Sequence, residues 1–330
     1  MKFFCLGSVL LTWPLIPFGA YVRLKNAGLS CPDWPLCYGM LIPPPGFEIW
    51  LEVGHRFFAV ILGIFIIAIT TFAYLKEKYS NFRSLAVCIL LLVCIQGILG
   101  ALTVTMTLWP PIVNLHLLGG NLLFGLLVYI TRLVFEKKFE NEKRISAVNK
   151  DLSKKRKFII LKKLKLMTII FFVILISGGF NSSTYSGNYC EAFPGCHEGS
   201  ALSFSLSGKN ISLISGIEDH ILPHAPLEFQ GRFFPEYEKE WINMIHRFVA
   251  IIGGTIIILM AWFILNKRFG YRMLGKSIVI LLFFEIILGI TNVLFRVQPF
   301  ISVLHTAVAA TLTGILFLAI AEVKIDKGNL

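Results

Sequence analysis

The sequence predicts an all-α polytopic membrane protein whose eight transmembrane helices form two repeated four-helix bundles. Three observations carry this. The chain is 56% hydrophobic and only 15% charged, far from the balance of a water-soluble domain. Its apolar runs repeatedly approach the roughly 20 residues that a helix needs to cross a bilayer. Its two halves also repeat one another in register, over positions that are not merely apolar.

Taken in order, the expected spans are 3–22, 52–75, 84–106, 112–134, 166–182, 243–265, 276–296 and 301–322. Basic residues follow the even-numbered spans: Lys76, Lys78 and Arg83 after the second, Lys137 through Lys157 after the fourth, and Lys267, Arg268 and Arg272 after the sixth. By the positive-inside rule these loops and both termini are cytoplasmic. The net charge of +12 is then topological and no sign of nucleic-acid binding. The long loop between spans five and six carries more acids, such as Glu191, Glu198, Glu218 and Glu228, than bases, as expected outside. No Arg- and Ser-rich presequence precedes the first span, so a bacterial plasma membrane is expected.

An apolar run directly after Met1 and Lys2 also has the form of a cleaved signal peptide, but the repeat makes it a retained helix. Pro17 to Cys37 aligns without gaps on Ile176 to Cys196, including the two cysteine pairs Cys31/Cys37 and Cys190/Cys196. His55-Arg56-Phe57 then matches His246-Arg247-Phe248. Gln96, Gly100, Pro110 and His116 match Glu285, Gly289, Pro299 and His305, at a constant separation of 189 residues. The expected organisation is an N-terminal half at 1–135, a basic cytoplasmic linker at 136–165 and a C-terminal half at 166–330. Parallel repeats of this kind place ligand sites within or between the halves.

His55, His116, His246 and His305 all fall near the start of even-numbered spans, hence at one depth near the outer face. At about 1.5 Å rise per residue they lie some 5 to 10 Å below the helix starts. A lone buried histidine is usually a satisfied core side chain, but four in repeat register suggest ligands, one pair per half. Zinc and two-iron sites ask for Cys or several carboxylates besides His. Two histidines per half beside small residues (Gly119, Gly120, Ala307, Ala309, Ala310) suit axial ligation of haem iron instead. Arg56 and Arg247 either pair with haem propionates or snorkel to the interface. Glu52, three residues before His55, shares its helix face, and an ionisable group within a span reads as functional.

Together, GLSCPDWPLC (Gly28 to Cys37), Glu52-x-x-His55-Arg56, Gln96-x-x-x-Gly100 and the other three histidines resemble the haem A synthase family across nearly the whole chain. The resemblance implies oxidation of a methyl group of haem O to the formyl group of haem A, for terminal oxidases. It further implies a haem b cofactor ligated by His246 and His305, and a substrate site holding His55 and His116. Haem O synthase is implied as a partner, together with an unidentified electron acceptor or donor. Position 243, which matches Glu52, is Asn, as expected if only the first half performs chemistry. Glu52 would then stabilise positive charge or accept a proton at the porphyrin edge.

Both outer cysteine pairs fall where disulfides persist, and the repeat favours pairing within each loop. A structural clip and a redox role remain open. The resemblance places the chain in the branch of the family with both pairs. Cys5, Cys88 and Cys94 read as small apolar residues. His197, His220 and His224 are expected to be solvent-exposed, and Glu285 either hydrogen-bonds near a haem or stays protonated against a neighbouring helix. Two other functions use part of this pattern. A dihaem b-type electron carrier explains the histidines but not Glu52, and a quinone-linked thiol oxidase explains the cysteines but not the histidines.

Overall fold

The structure, a computed structural model, describes residues 1–136, 147–197, 237–265 and 272–325. Lys137, Lys138, Lys143, Arg144, Lys267, Arg268 and the loop from Glu198 to Glu236, with His220 and His224, lie outside the described residues. Among those described there are eight long helices: α1 (Lys2–Leu24), α2 (Phe47–Leu75), α3 (Arg83–Thr105), α4 (Pro110–Val134), α5 (Ala147–Ser183), α6 (Glu238–Leu265), α7 (Arg272–Leu294) and α8 (Pro299–Ile325).

Seven of these, all but α5, are by length and composition able to cross a membrane. Large apolar side chains point outward, among them Phe57, Ile64 and Ile67 on α2, Leu91 and Ile98 on α3, and Leu259 and Trp262 on α6. Such a continuous apolar girdle would aggregate in water and is satisfied by lipid. The chain is a multi-pass helical membrane protein.

Helices α2 and α6 begin at Phe47 and Glu238, one turn before the expected spans. That extra turn carries Glu48, Glu238 and Glu240, which suit the positive end of the helix dipole. It also carries the half-exposed Trp50 and Trp241, side chains that favour the membrane interface. Apolar patterning misses this turn because it lies in the interfacial zone, where polar residues cost little. The four histidines therefore sit roughly 9 to 12 Å from their helix starts, slightly deeper than expected.

The expected linker at 136–165 is in part helix: from Ala147 onward its residues belong to α5. Ile160 and Leu164 are buried in a helix interface, while Lys163 spreads over the Phe263 ring and Lys157 donates to the carbonyl of Lys324. Lys157 and Lys163 thus reach across to α8 and α6 from the packed part of the helix.

One buried apolar cluster is built by α1 to α4, around Leu62, Ile66, Ile69, Ile89, Leu127 and Ile130. Another is built by α5 to α8, around Leu164, Phe171, Ile257, Leu282, Leu312 and Leu316. Contacts between α4 and α8 join them. The Phe317 ring fills the space where Gly125 lacks a side chain, and the Phe124 ring does the same at Gly314. Trp13 Nε1 donates to Thr311 Oγ1 (2.9 Å), and Arg132 forms a bidentate pair with Glu322 (2.5 and 2.9 Å).

Backbone conformation follows the sequence repeat. Thr107 and Leu108 after α3, and Arg296 and Val297 after α7, all have φ between 49° and 59°. So do Asn26 and Tyr185, which follow α1 and α5. Left-handed non-glycine residues are uncommon, and these occupy matching positions of the two halves.

Candidate functional site

Most of the packed core lies toward one end of the helices, at the C-terminal ends of α2, α4, α6 and α8. At the other end the helices enclose a cavity of about 1440 Å³ lined by His55, His116, His246, His305, Glu52, Arg56, Arg247 and Glu285. This exceeds the roughly 300–1,000 Å³ of ordinary small-molecule sites. Every one of the four histidines lies against a glycine on a neighbouring helix. A Cβ added at Gly19 or Gly178 would stand 2.9 Å from Cε1 of His55 or His246. At Gly100 or Gly289 it would stand 3.5 or 3.4 Å from Cε1 of His116 or His305. At Gly19 and Gly178 the missing side chain lets the imidazole lie flush against the neighbouring backbone, while at Gly100 and Gly289 a Cβ would stand at ordinary contact distance. His55 and His116 line the cavity from α2 and α4 of the first half, and His246 and His305 from α6 and α8 of the second. Among the described residues, Nε2 of these histidines makes no hydrogen bond. Four imidazoles with free Nε2 atoms, seated on glycines around an apolar cavity, fit the axial ligation of haem iron.

The sequence repeat contained these glycines, but only the packing reveals what each accommodates. Of the small residues expected to flank a macrocycle, Gly120 and Ala309 line the cavity. Gly119 instead receives the Gln96 amide, whose Nε2 would meet an added Cβ at 1.9 Å, and Ala310 is fully buried. Both amide atoms of Gln96 are buried without a partner among the described residues.

Glu52 is 5% exposed. Its Oε2 accepts from the backbone N–H of Cys31 (2.9 Å) and its Oε1 from Arg56 Nη2 (2.5 Å). Arg56 in turn donates to the carbonyls of Asp33 (2.8 Å) and Leu36 (2.6 Å). The cysteine loop is thereby held onto α2. Within it, Asp33 accepts from the N–H groups of Tyr38 and Gly39, and the Gly39 bond foremost holds its carboxyl below the usual carboxylate range. Because its pKa is depressed by folding, this contribution is present at neutral pH and is lost as the pH falls through the shifted value.

In the second half Asn243 occupies the place of Glu52. It donates to the carbonyls of Ser186 and Gly187 and accepts from Arg247 Nε (2.8 Å). Arg247 also donates to the carbonyls of Ala192 and Gly195, both at 2.7 Å, and to that of Cys190. The arginines, open to either propionate pairing or snorkelling, thus spend most of their N–H groups on loop carbonyls. The cysteines pair within each loop, Cys31 with Cys37 and Cys190 with Cys196.

His197 is not solvent-exposed as expected. It is fully buried, with Nε2 3.1 Å from Glu240 Oε1, because it directly follows Cys196 in the loop that Arg247 draws down onto α6. Cys196, His197 and Glu240 cluster within 4.8 Å, but the cysteine sulfur is bonded to Cys190. Glu285 stands beside His305, with Oε1 3.3 Å from Nδ1.

Fold and site define a multi-pass helical membrane protein with two repeat-related histidine pairs lining one cavity. The sequence matches the COX15-CtaA family, described as cytochrome oxidase assembly protein, over residues 2–48 and 46–317. It is 32% identical over 324 residues to a haem A synthase of Shewanella oneidensis, covering 92% of this chain and 91% of that protein. Haem A synthases of Geobacillus thermodenitrificans (35% over 135 residues, 40% and 42% of the two chains) and Macrococcus caseolyticus (37% over 120 residues, 35% and 39%) are similar over shorter stretches. The chain belongs to the COX15-CtaA family, that of the haem A synthases.

Proposed function

We propose that this protein is a haem A synthase, an oxidoreductase that converts the methyl group of haem O to the formyl group of haem A. The observation that carries this reading is the cavity with two facing histidine pairs, each imidazole seated on a glycine, in a chain of this family. His246 and His305 would hold a resident haem b, and His55 and His116 the substrate. A bound haem b would supply one-electron redox chemistry. The two apolar clusters and the repeated left-handed residues support eight spans in two four-helix halves, 1–135 and 166–330.

Only the first half has a carboxylate at the clamp. Glu52 lines the cavity beside His55, where it can hold positive charge developing at the methyl carbon or take up a released proton. Arg56 serves this by neutralising the carboxylate and fixing its orientation. Arg56 Nε is not engaged in the loop and is available to a propionate, whereas all three nitrogens of Arg247 are engaged. Haem O synthase is the expected supplier of substrate, and an electron acceptor must take the reducing equivalents. The basic residues on α5 and after α2 support cytoplasmic termini in a bacterial plasma membrane.

Pigment extraction tests the function: membranes that contain haem O should gain haem A only when this protein is expressed. Expression that adds a b-type spectrum without haem A would favour the dihaem electron carrier. The cysteines provide a separate test. A membrane-impermeant thiol reagent should label the 31/37 and 190/196 pairs only after reduction. Cys88 and Cys94, which lie on the outward face of α3, should stay unlabelled in intact cells because lipid covers them. Labelling of the loops without reductant would contradict the pairing.

A further inference from the structure

The two histidine pairs are anchored differently. Ser177 Oγ lies 2.8 Å from the carbonyl of Ile174 and 3.0 Å from His246 Nδ1. With its one proton directed to Ile174 the hydroxyl accepts from Nδ1–H, which leaves Nε2 of His246 bare to bind a metal. His305 has the Glu285 carboxylate 3.3 Å from its Nδ1. In the first half, Phe18 stands at the position matching Ser177, and its ring only tilts against His55 (centroids 5.7 Å apart). Gln96 stands at the position matching Glu285 and turns its amide onto Gly119. Nδ1 of His55, His116 and His305 makes no hydrogen bond among the described residues, so the halves differ in the Ser177 contact to His246 and in the carboxylate that stands within ion-pair distance of His305 and has no counterpart at His116.

We infer that Ser177 and Glu285 are positioning residues that make the C-terminal pair a permanent haem site, while Phe18 and Gln96 leave the N-terminal pair free to exchange its haem. This rests on the assignment of His246 and His305 as haem ligands. Partners on the far nitrogen fix tautomer and ring orientation and raise ligand basicity, and losing them typically costs about 10- to 100-fold in metal affinity. A site that keeps its cofactor through many turnovers needs that anchoring. A site that must release product is impaired by it. A carboxylate beside His305 also favours the ferric state, so removing its charge should raise the reduction potential of the C-terminal haem.

The test uses the purified, haem-loaded full chain. Haem loss to excess apomyoglobin and the midpoint potential are measured for the wild type, Ser177→Ala, Glu285→Gln and the double variant. The double variant should lose haem roughly 10- to 100-fold faster, and Glu285→Gln should raise the potential while the low-spin spectrum persists. The reciprocal variant, Phe18→Ser with Gln96→Glu in a His246→Ala background, should retain added haem b longer than His246→Ala alone. This arm decides the matter if the first set does not accumulate. Unchanged loss rates and potentials, or no gain in the reciprocal variant, would overturn the inference. If His246→Ala and His305→Ala themselves keep the low-spin spectrum, the ligand assignment has failed instead.

Discussion

Replacing Glu52 with Gln is expected to lower conversion of haem O to haem A by roughly 100-fold or more while leaving bound haem b intact. The clamp on the Cys31 loop raises the competing explanation that such a variant simply unfolds. Removing one member of a buried ion pair typically costs about 3–5 kcal/mol, enough to unfold many proteins. Here the cost is smaller, because Arg56 keeps the carbonyls of Asp33 and Leu36 as acceptors. The second half provides the internal control: Arg247 is buried beside the neutral amide of Asn243, and the loop is held there all the same. An amide at position 52 is thus compatible with the architecture. Glu52→Asp keeps the charge and withdraws it by one methylene, so it should retain more activity than Gln if charge is what matters. The measurements are haem A yield and haem b content per purified protein. Normal haem A production by Glu52→Gln would reduce this residue to a loop clamp.

His246→Ala and His305→Ala should each abolish or convert the low-spin haem b spectrum, the largest spectroscopic change expected of any single substitution. On the proposed assignment each would remove one ligand nitrogen and leave space against Gly178 or Gly289. Neither ring is part of the buried apolar clusters, so the fold should persist and added imidazole should restore part of the spectrum. His55→Ala and His116→Ala should retain haem b and lose haem A production. Equal loss of haem b from all four variants would show that both halves hold it alike.

Much of the candidate site was legible in the sequence because the chain contains its own alignment. Two copies of a four-helix pattern expose His55, His116, His246 and His305 by register, and a break in that register, Glu52 against Asn243, marks the half in which chemistry is expected. Apolar length and the alternation of basic loops determined the fold class for a physical reason: a bilayer leaves helices and closed barrels as the only ways to satisfy the backbone.

What the tertiary structure alone decided concerns the partners of those residues. Glycine reads as a small residue in any alignment. Only the packing of α1 on α2, and of α5 on α6, shows that Gly19 and Gly178 each make room for one imidazole. Arg56 and Arg247 were open to propionate pairing or snorkelling because a sequence does not show that a loop 20 residues before Arg56, and one 55 residues before Arg247, turns its carbonyls onto them. His197 looked exposed because it sits in a polar loop, yet the pull of Arg247 on that loop buries it against Glu240. Ser177 carried no signal at all, since a serine in a span is unremarkable until its hydroxyl is found between Ile174 and His246. Hydrogen bonds between segments distant in sequence depend on chain geometry, which residue type and spacing do not encode.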